Sequence, residues 1–175
     1  VLFRSLADLV EATGAKAPTL YAEFVNKEGL FRAVLDRYIA RFAARHEALL
    51  FDEEKSVDRA LRDYFTAVAT CFTSKETPAG CFMINTSAAL AAASTDIANT
   101  VKSRHAMQEQ TLTQFLQQRQ LRGELPPDGD VRQLAQFLNC ILQGMSISAR
   151  EGADFTKIMQ IAETTLRLWP QVLQR

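Results

Sequence analysis

The chain has 175 residues, 47% of them hydrophobic, so there is enough apolar material for a sizeable core and disorder is excluded. Its 20 Lys and Arg balance 20 Asp and Glu, so a nucleic-acid or acidic partner has to be argued from local features, not from global charge. No apolar run reaches the roughly 18 residues that span a bilayer, and VLF at the start is too short for a signal-peptide core.

Helical periodicity runs through nearly the whole chain and no segment keeps a period-2 alternation, so the fold class is all-α. The first predicted helix is SLADLVEAT, residues 5–13. Ser5 caps it, Asp8 stands where a capping-box acid belongs, Leu6, Leu9 and Val10 make its inner face, and Gly14 ends it. A second helix is predicted over 17–24, with Pro18 tolerated in its first turn. A third starts after Asn26: Leu30, Phe31, Val34, Leu35, Tyr38, Ile39 and Phe42 follow helical spacing, and the helix is expected to reach Leu50. DEEKS (52–56) is a charged connector. The next helix turns Val57, Leu61, Tyr64, Phe65, Val68 and Phe72 inward and is broken by TSKETPAG (73–80). CFMINTSAALAAA (81–93) reads as a small-residue helix. A long helix follows over about 95–122, with Ile97, Val101, His105, Leu112, Phe115 and Leu116 inward, and Gly123 stops it. Two more close the chain, about 130–150 and 155–169, the last ended by Pro170. This gives two domains: 1–45, and a helical-bundle body over 46–175 joined to it by the long third helix.

Helix, short turn at Gly14, helix is the layout of a helix-turn-helix, whose second helix enters the major groove. Such a helix needs one apolar face on its neighbours and one slim polar face toward DNA. Leu20 and Phe24 supply the first; Lys16, Thr19, Tyr21 and Glu23 project elsewhere. The Tyr21 and Thr19 hydroxyls suit phosphate or base contacts, and Ala17 and Pro18 are slim enough for close approach. Lys27 adds a full charge at a helix N-terminus, which already favours phosphate.

Residues 5–42 resemble the DNA-binding head of the TetR family of bacterial transcriptional regulators. Its TLY-x-x-F block, short turn and KE-x-L-F are met by Thr19-Leu20-Tyr21, Phe24, Lys27-Glu28 and Leu30-Phe31. The resemblance implies phosphate binding by Tyr21 and Lys27 and base reading by the Lys16–Thr19 segment. The DNA-contact set is Ser5, Lys16, Ala17, Pro18, Thr19, Tyr21 and Lys27. The family head carries a further helix and a basic arm before Ser5. VLF looks like the tail of that helix, so residues are expected to be missing before Val1 and between Phe3 and Ser5.

The body, notably PAGCFMINTSAAL, LPPDGDVRQLAQFL and QGMSISAREGA, is similar to one subgroup of the family's ligand-binding and dimerisation domains. The resemblance implies a ligand-responsive, cytoplasmic, homodimeric regulator, a repressor released from its DNA operator by a small-molecule effector. No cofactor, metal or catalytic residue is expected, since neither His46 nor His105 sits in a motif that assembles an enzyme site. Tyr64, Phe82, Asn85, His105, Met107 and Trp169 are the candidates for lining an effector pocket, with a plain core role as their alternative. Leu134, Leu138, Ile141, Met145, Ile158, Ile161, Thr165 and Leu168, with Gly144 allowing close approach, are expected at a four-helix dimer interface. Cys71, Cys81 and Cys140 are too far apart for a metal or disulfide framework and read as thiols in a reducing compartment. The alternatives are a redox sensor reacting at Cys81 and a helical interaction module without DNA. The second leaves Thr19, Tyr21 and Lys27 unexplained.

Overall fold

The computed structural model describes residues 5–90 and 95–172, and every regular element among them is helical. The expected Val1–Phe3 helix tail and the end of the predicted 81–93 helix lie outside the described residues. Two compact units divide the chain, Val1–Arg41 and Phe42–Arg175, a few residues ahead of the expected boundary at 45/46.

The first unit holds α1 (Leu6–Thr13), α2 (Ala17–Phe24) and α3 (Lys27–Tyr38). At the start of α1 the Asp8 amide donates to Ser5 Oγ at 3.1 Å, and the Ser5 amide donates to Asp8 Oδ2 at 2.8 Å, the reciprocal box that the S-x-x-D spacing predicts. Gly14 closes α1 in the left-handed conformation at φ 67°. Leu9, Phe31 and Leu35 are buried. Leu20 and Phe24 are only half-buried, so α2 keeps no fully buried side chain.

The turn from α2 to α3 takes two residues and is strained. Val25 has φ 64° and ψ −51°, and the Asn26 amide donates across it to the Phe24 carbonyl at 2.6 Å. This is a γ-turn of the rare positive-φ kind, centred on a β-branched residue that disfavours it. The Val25 side chain is 76% exposed, so no packing offsets that strain. Val25→Gly is therefore expected to stabilise the first unit by about 1 kcal/mol, the relief of positive φ outweighing glycine's greater unfolded-state freedom. Hydrogen exchange checks it: the α2 and α3 amides should exchange about fivefold more slowly.

The expected single helix over 27–50 is interrupted. α3 passes into a π turn at Ile39–Ala43, then into the short α4 (Ala44–Ala48). A π turn lodges an extra residue in the helix, and the apolar stripe continues through it, so periodicity gave no sign of the change.

The second unit continues with α5 (Val57–Phe72), α6 (Phe82–Leu90), α7 (Thr95–Leu121), α8 (Val131–Arg150) and α9 (Phe155–Val172). Side chains cap three of them: Ser56 Oγ accepts from the Arg59 amide, Asp130 Oδ1 from those of Arg132 and Gln133, and Asp154 Oδ1 from that of Lys157. α8 packs on α7, α5, α6 and α9, and α5 packs on α9. Between them Phe65, Phe115, Leu61, Leu112, Leu116, Leu134, Leu138 and Ile158 lose essentially all solvent contact, each such burial stabilising by about 1.5–3 kcal/mol. α9 runs on to Val172, past the expected stop at position 170. One missing N–H removes one bond, and near a helix end that loss is tolerated.

Candidate nucleic-acid interface and interior polar site

The nucleic-acid candidates fall on α2 and the two helix starts beside it. Lys16 is exposed and N-caps α2 through its backbone, accepting from the Thr19 amide at 3.0 Å and the Leu20 amide at 3.2 Å. Ala17 is half-buried, and Pro18 and Thr19 are exposed. Tyr21 is 53% exposed, a large outlay of aromatic surface for a residue with only a packing role. Lys27 is the first residue of α3. Asn26 caps that helix, its Oδ1 accepting from the Gly29 amide at 2.8 Å. A Cβ on Gly29 would run into the Phe24 carbonyl, so the turn closes only around glycine at this position. Ser5 is exposed, with Oγ held by the Asp8 amide. α2 thus presents both Thr19 and Tyr21 to solvent, with Lys16 ahead of it and Lys27 at the next helix start.

The pocket candidates separate. Tyr64 of α5 is buried and hydrogen-bonds to Gln108 of α7. Burial, reinforced by nearby Glu47 and Cys81, pushes its phenol well above the usual range despite the Gln108 bond, which acts the other way. Burial also lowers His46 and His105 and raises Glu47, so each of these four groups shifts toward its neutral form. Asn85 donates to the Ala79 carbonyl at 2.8 Å, which leaves its Oδ1 buried; Oδ1 and His105 Nδ1 have no hydrogen-bond partner among the described residues. Phe82 is half-buried near the start of α6.

Met107 is a correction. It is 51% exposed, its sulfur faces Arg104 at 3.9 Å, and it does not line an interior site, because it stands on the outer side of α7. Trp169 is buried near the end of α9, with Nε1 bonded to no described residue. Sequence reasoning passed over Glu47 and Gln108. His46 lies one turn beyond Phe42 on the apolar stripe of the predicted third helix, and that was the available signal. Cys81 is buried and its amide donates to Ser146 Oγ at 2.7 Å. No cluster of His, Cys, Asp and Glu suited to a metal, and no helix long and apolar enough to cross a membrane, occurs among the described residues.

The dimer candidates need a second correction. Leu134, Leu138, Met145, Ile158 and Thr165 are buried inside their own subunit, because the most apolar stripe of α8 and α9 turns onto α7 and α5. The outer faces carry half-buried Ile141 and Ile161 and exposed Ile147, Phe155 and Leu168. An open groove of about 680 Å³ runs along α9, lined by residues including Phe155, Met159 and Arg167.

A capped helix-turn-helix ahead of a larger helical body is the layout of a DNA-binding transcriptional regulator. Residues 4–34 match the family described as bacterial regulatory proteins, tetR family, and residues 56–164 match the tetracyclin repressor-like C-terminal domain. The chain belongs to the TetR family of bacterial transcriptional regulators. It is 76% identical over 170 residues to the HTH-type transcriptional repressor ComR of Escherichia coli (strain K12), covering 97% of this chain and 81% of that protein. It is 27% identical over 159 residues to the repressor BdcR of the same organism, covering 90% and 75%. Among solved structures, a cysteine mutant of the TetR-family regulator CifR, complexed with 26bp double-strand operator DNA, has a TM-score of 0.87 at 28% identity, covering 95% of this chain and 86% of that one.

Proposed function

We propose that this regulator is a cytoplasmic homodimeric repressor that binds a near-palindromic operator through two helix-turn-helix heads and releases it when a small molecule enters the body. The exposed Thr19 and Tyr21 of α2, with Lys27 at the capped start of α3, carry the DNA reading, and the 76% identity to a named repressor supports repression. Ser5, Lys16, Ala17, Pro18, Thr19, Tyr21 and Lys27 form the contact set. Tyr21 and Lys27 take phosphates, and the start of α2 reads bases. The effector sits around Tyr64, Asn85 and His105. The neutral bias of Glu47, His46, His105 and Tyr64 suits an uncharged ligand offering hydrogen bonds to the two unpartnered atoms. The second copy covers the outer faces of α8 and α9 around Gly144, Ile147 and Leu168. No observation favours redox control, since Cys81 is buried.

The test is fluorescence anisotropy with the DNA upstream of the protein's own gene at two salt concentrations. Wild type is expected to bind with a steep salt dependence. Tyr21→Phe/Lys27→Ala is expected to lose specific binding and, with one lysine removed per subunit, to show a log–log salt slope shallower by about 2. A folded wild type that prefers neither this DNA nor any sequence selected from a random library would sink the reading.

A further inference from the structure

Arg119, in the last turn of α7, is 3% exposed, yet its guanidinium reaches four acceptors. It donates to the carbonyls of Lys55 at 2.6 Å, Asp52 at 2.8 Å and Leu50 at 3.1 Å, and to Glu124 Oε1 at 2.9 Å. Its cationic carbon lies 5.2 Å from the centre of the Phe115 ring, which meets Phe51 edge-on at 6.2 Å. The second oxygen of Glu124 accepts from the Val57 amide at 2.7 Å, at the first residue of α5. One buried cation thus gathers the chain leaving α4, the start of α5 and the end of α7. The acceptors on the 50–55 segment are backbone carbonyls, so the guanidinium fixes the direction of the chain itself and not a side-chain rotamer.

That direction matters because α4 has only five residues. So short a segment packs on α5 along little more than one turn, so the chain at its two ends also sets where it points. One end continues into the π turn Ile39–Ala43 and then, without a loop, into α3. The other end is the one Arg119 grips. Between them α4, which carries Glu47, packs on α5, which carries the buried Tyr64.

We infer that Arg119 is a positioning residue for operator binding: by gripping the Leu50, Asp52 and Lys55 carbonyls it makes the far end of α4 the fixed end, so that a displacement beside Glu47 and Tyr64 is delivered to the π turn and α3. This rests on the reading of the protein as an operator-binding regulator. Arginine is required because its planar fork serves several acceptors at fixed angles, whereas an ammonium is a single point of charge.

The test compares operator and random-sequence DNA binding by the full-length protein and its variants at a temperature where circular dichroism shows each fully folded and sedimentation shows each dimeric. Arg119→Lys keeps a cation opposite Glu124 and gives up the fork. It is expected to lose about tenfold in operator affinity while its binding to random DNA, which depends on the phosphate contacts, stays within about twofold. Glu124→Gln keeps one acceptor oxygen of the two, giving up either the Arg119 or the Val57 bond, but leaves the three carbonyl bonds in place, so operator affinity is expected to remain within about twofold of wild type. Arg119→Gln, neutral and still able to donate to a carbonyl, is read in the same way should the lysine variant not fold. If the Arg119 variants melt at lower temperature but bind the operator as tightly as wild type, the grip is structural only and the inference is overturned. A loss in Glu124→Gln as large as in Arg119→Lys overturns it too. Failure of the regulator reading itself shows instead in the wild type, as an absence of operator preference.

Discussion

Gly144→Leu is expected to leave each subunit folded and to abolish the dimer, with operator affinity falling by at least about 100-fold as two linked half-site contacts become one. Gly144 lies in the middle of α8, is exposed, and a Cβ built on it meets nothing within 4 Å in its own subunit. Inside the subunit the substitution therefore costs nothing sterically. It also replaces the second-poorest helix former with a good one, a gain of up to about 0.8 kcal/mol. Only a neighbouring molecule gives the missing side chain a purpose: a glycine between Ile141 and Ile147 lets another helix approach to backbone distance. The sign is what discriminates. Subunit stability, from denaturant unfolding extrapolated to low protein concentration, should hold or rise while sedimentation velocity shows a monomer. A Gly144→Leu protein that sediments as wild type does would move the interface away from this face.

Gly80→Ala is expected to destabilise the second unit by about 3 kcal/mol, which for a body of this size lowers its melting temperature by roughly 6–12 °C. Two costs add. Gly80 has φ 81°, where an L-residue loses about 1–2 kcal/mol. Its site is also full: a Cβ would lie 2.6 Å from the Ser146 carbonyl oxygen, 3.0 Å from Ser146 Oγ and 3.2 Å from Asn85 Nδ2. The nearest of these is backbone and cannot swing aside, so α8 must give way, at a further cost of about 1–3 kcal/mol. The strain spreads, because Ser146 Oγ accepts the Cys81 amide at the start of α6 and the Gly80 amide donates to the Phe72 carbonyl at the end of α5. Gly14→Ala is the control. Its φ is 67°, but nothing lies within 4 Å, so only the backbone cost applies. Calorimetry on the two variants separates crowding from conformation, and an equal loss at both positions would show that the contact with Ser146 contributes nothing.

Much of the architecture was legible in the sequence because its signals are local. Ser5 with Asp8, Gly14, Asn26 and Ser56 each mark a helix end through their own chemistry, and those ends fall within a residue of expectation. What was missed depends on tertiary placement. α8 and α9 each carry two apolar stripes, and periodicity does not say which faces the core. The richer stripe, with Leu134, Leu138 and Met145, went inside, and the sparser one around Ile147 stayed outside. Met107 is apolar at an acceptable spacing and nonetheless points out. The γ-turn at Val25 gave no warning, since valine is among the residues least expected there. Arg119 sits in a glutamine-rich stretch that reads as a solvated helix face; only Phe115, one turn earlier, hinted at a stacked cation.

The chain has a single tryptophan, and Trp169 is buried in the second unit, its ring nitrogen bonded to no described residue. The first unit carries tyrosine and phenylalanine only, with Tyr21 standing out in water. Emission excited at the red edge of protein absorbance therefore originates in the body alone, from one chemically uniform emitter per subunit. A shift of that band to longer wavelength records solvent reaching the end of α9 and is blind to events in the head, which amide exchange follows instead. The molecule thus carries its own optical label for the body, with no residue to remove and no dye to attach.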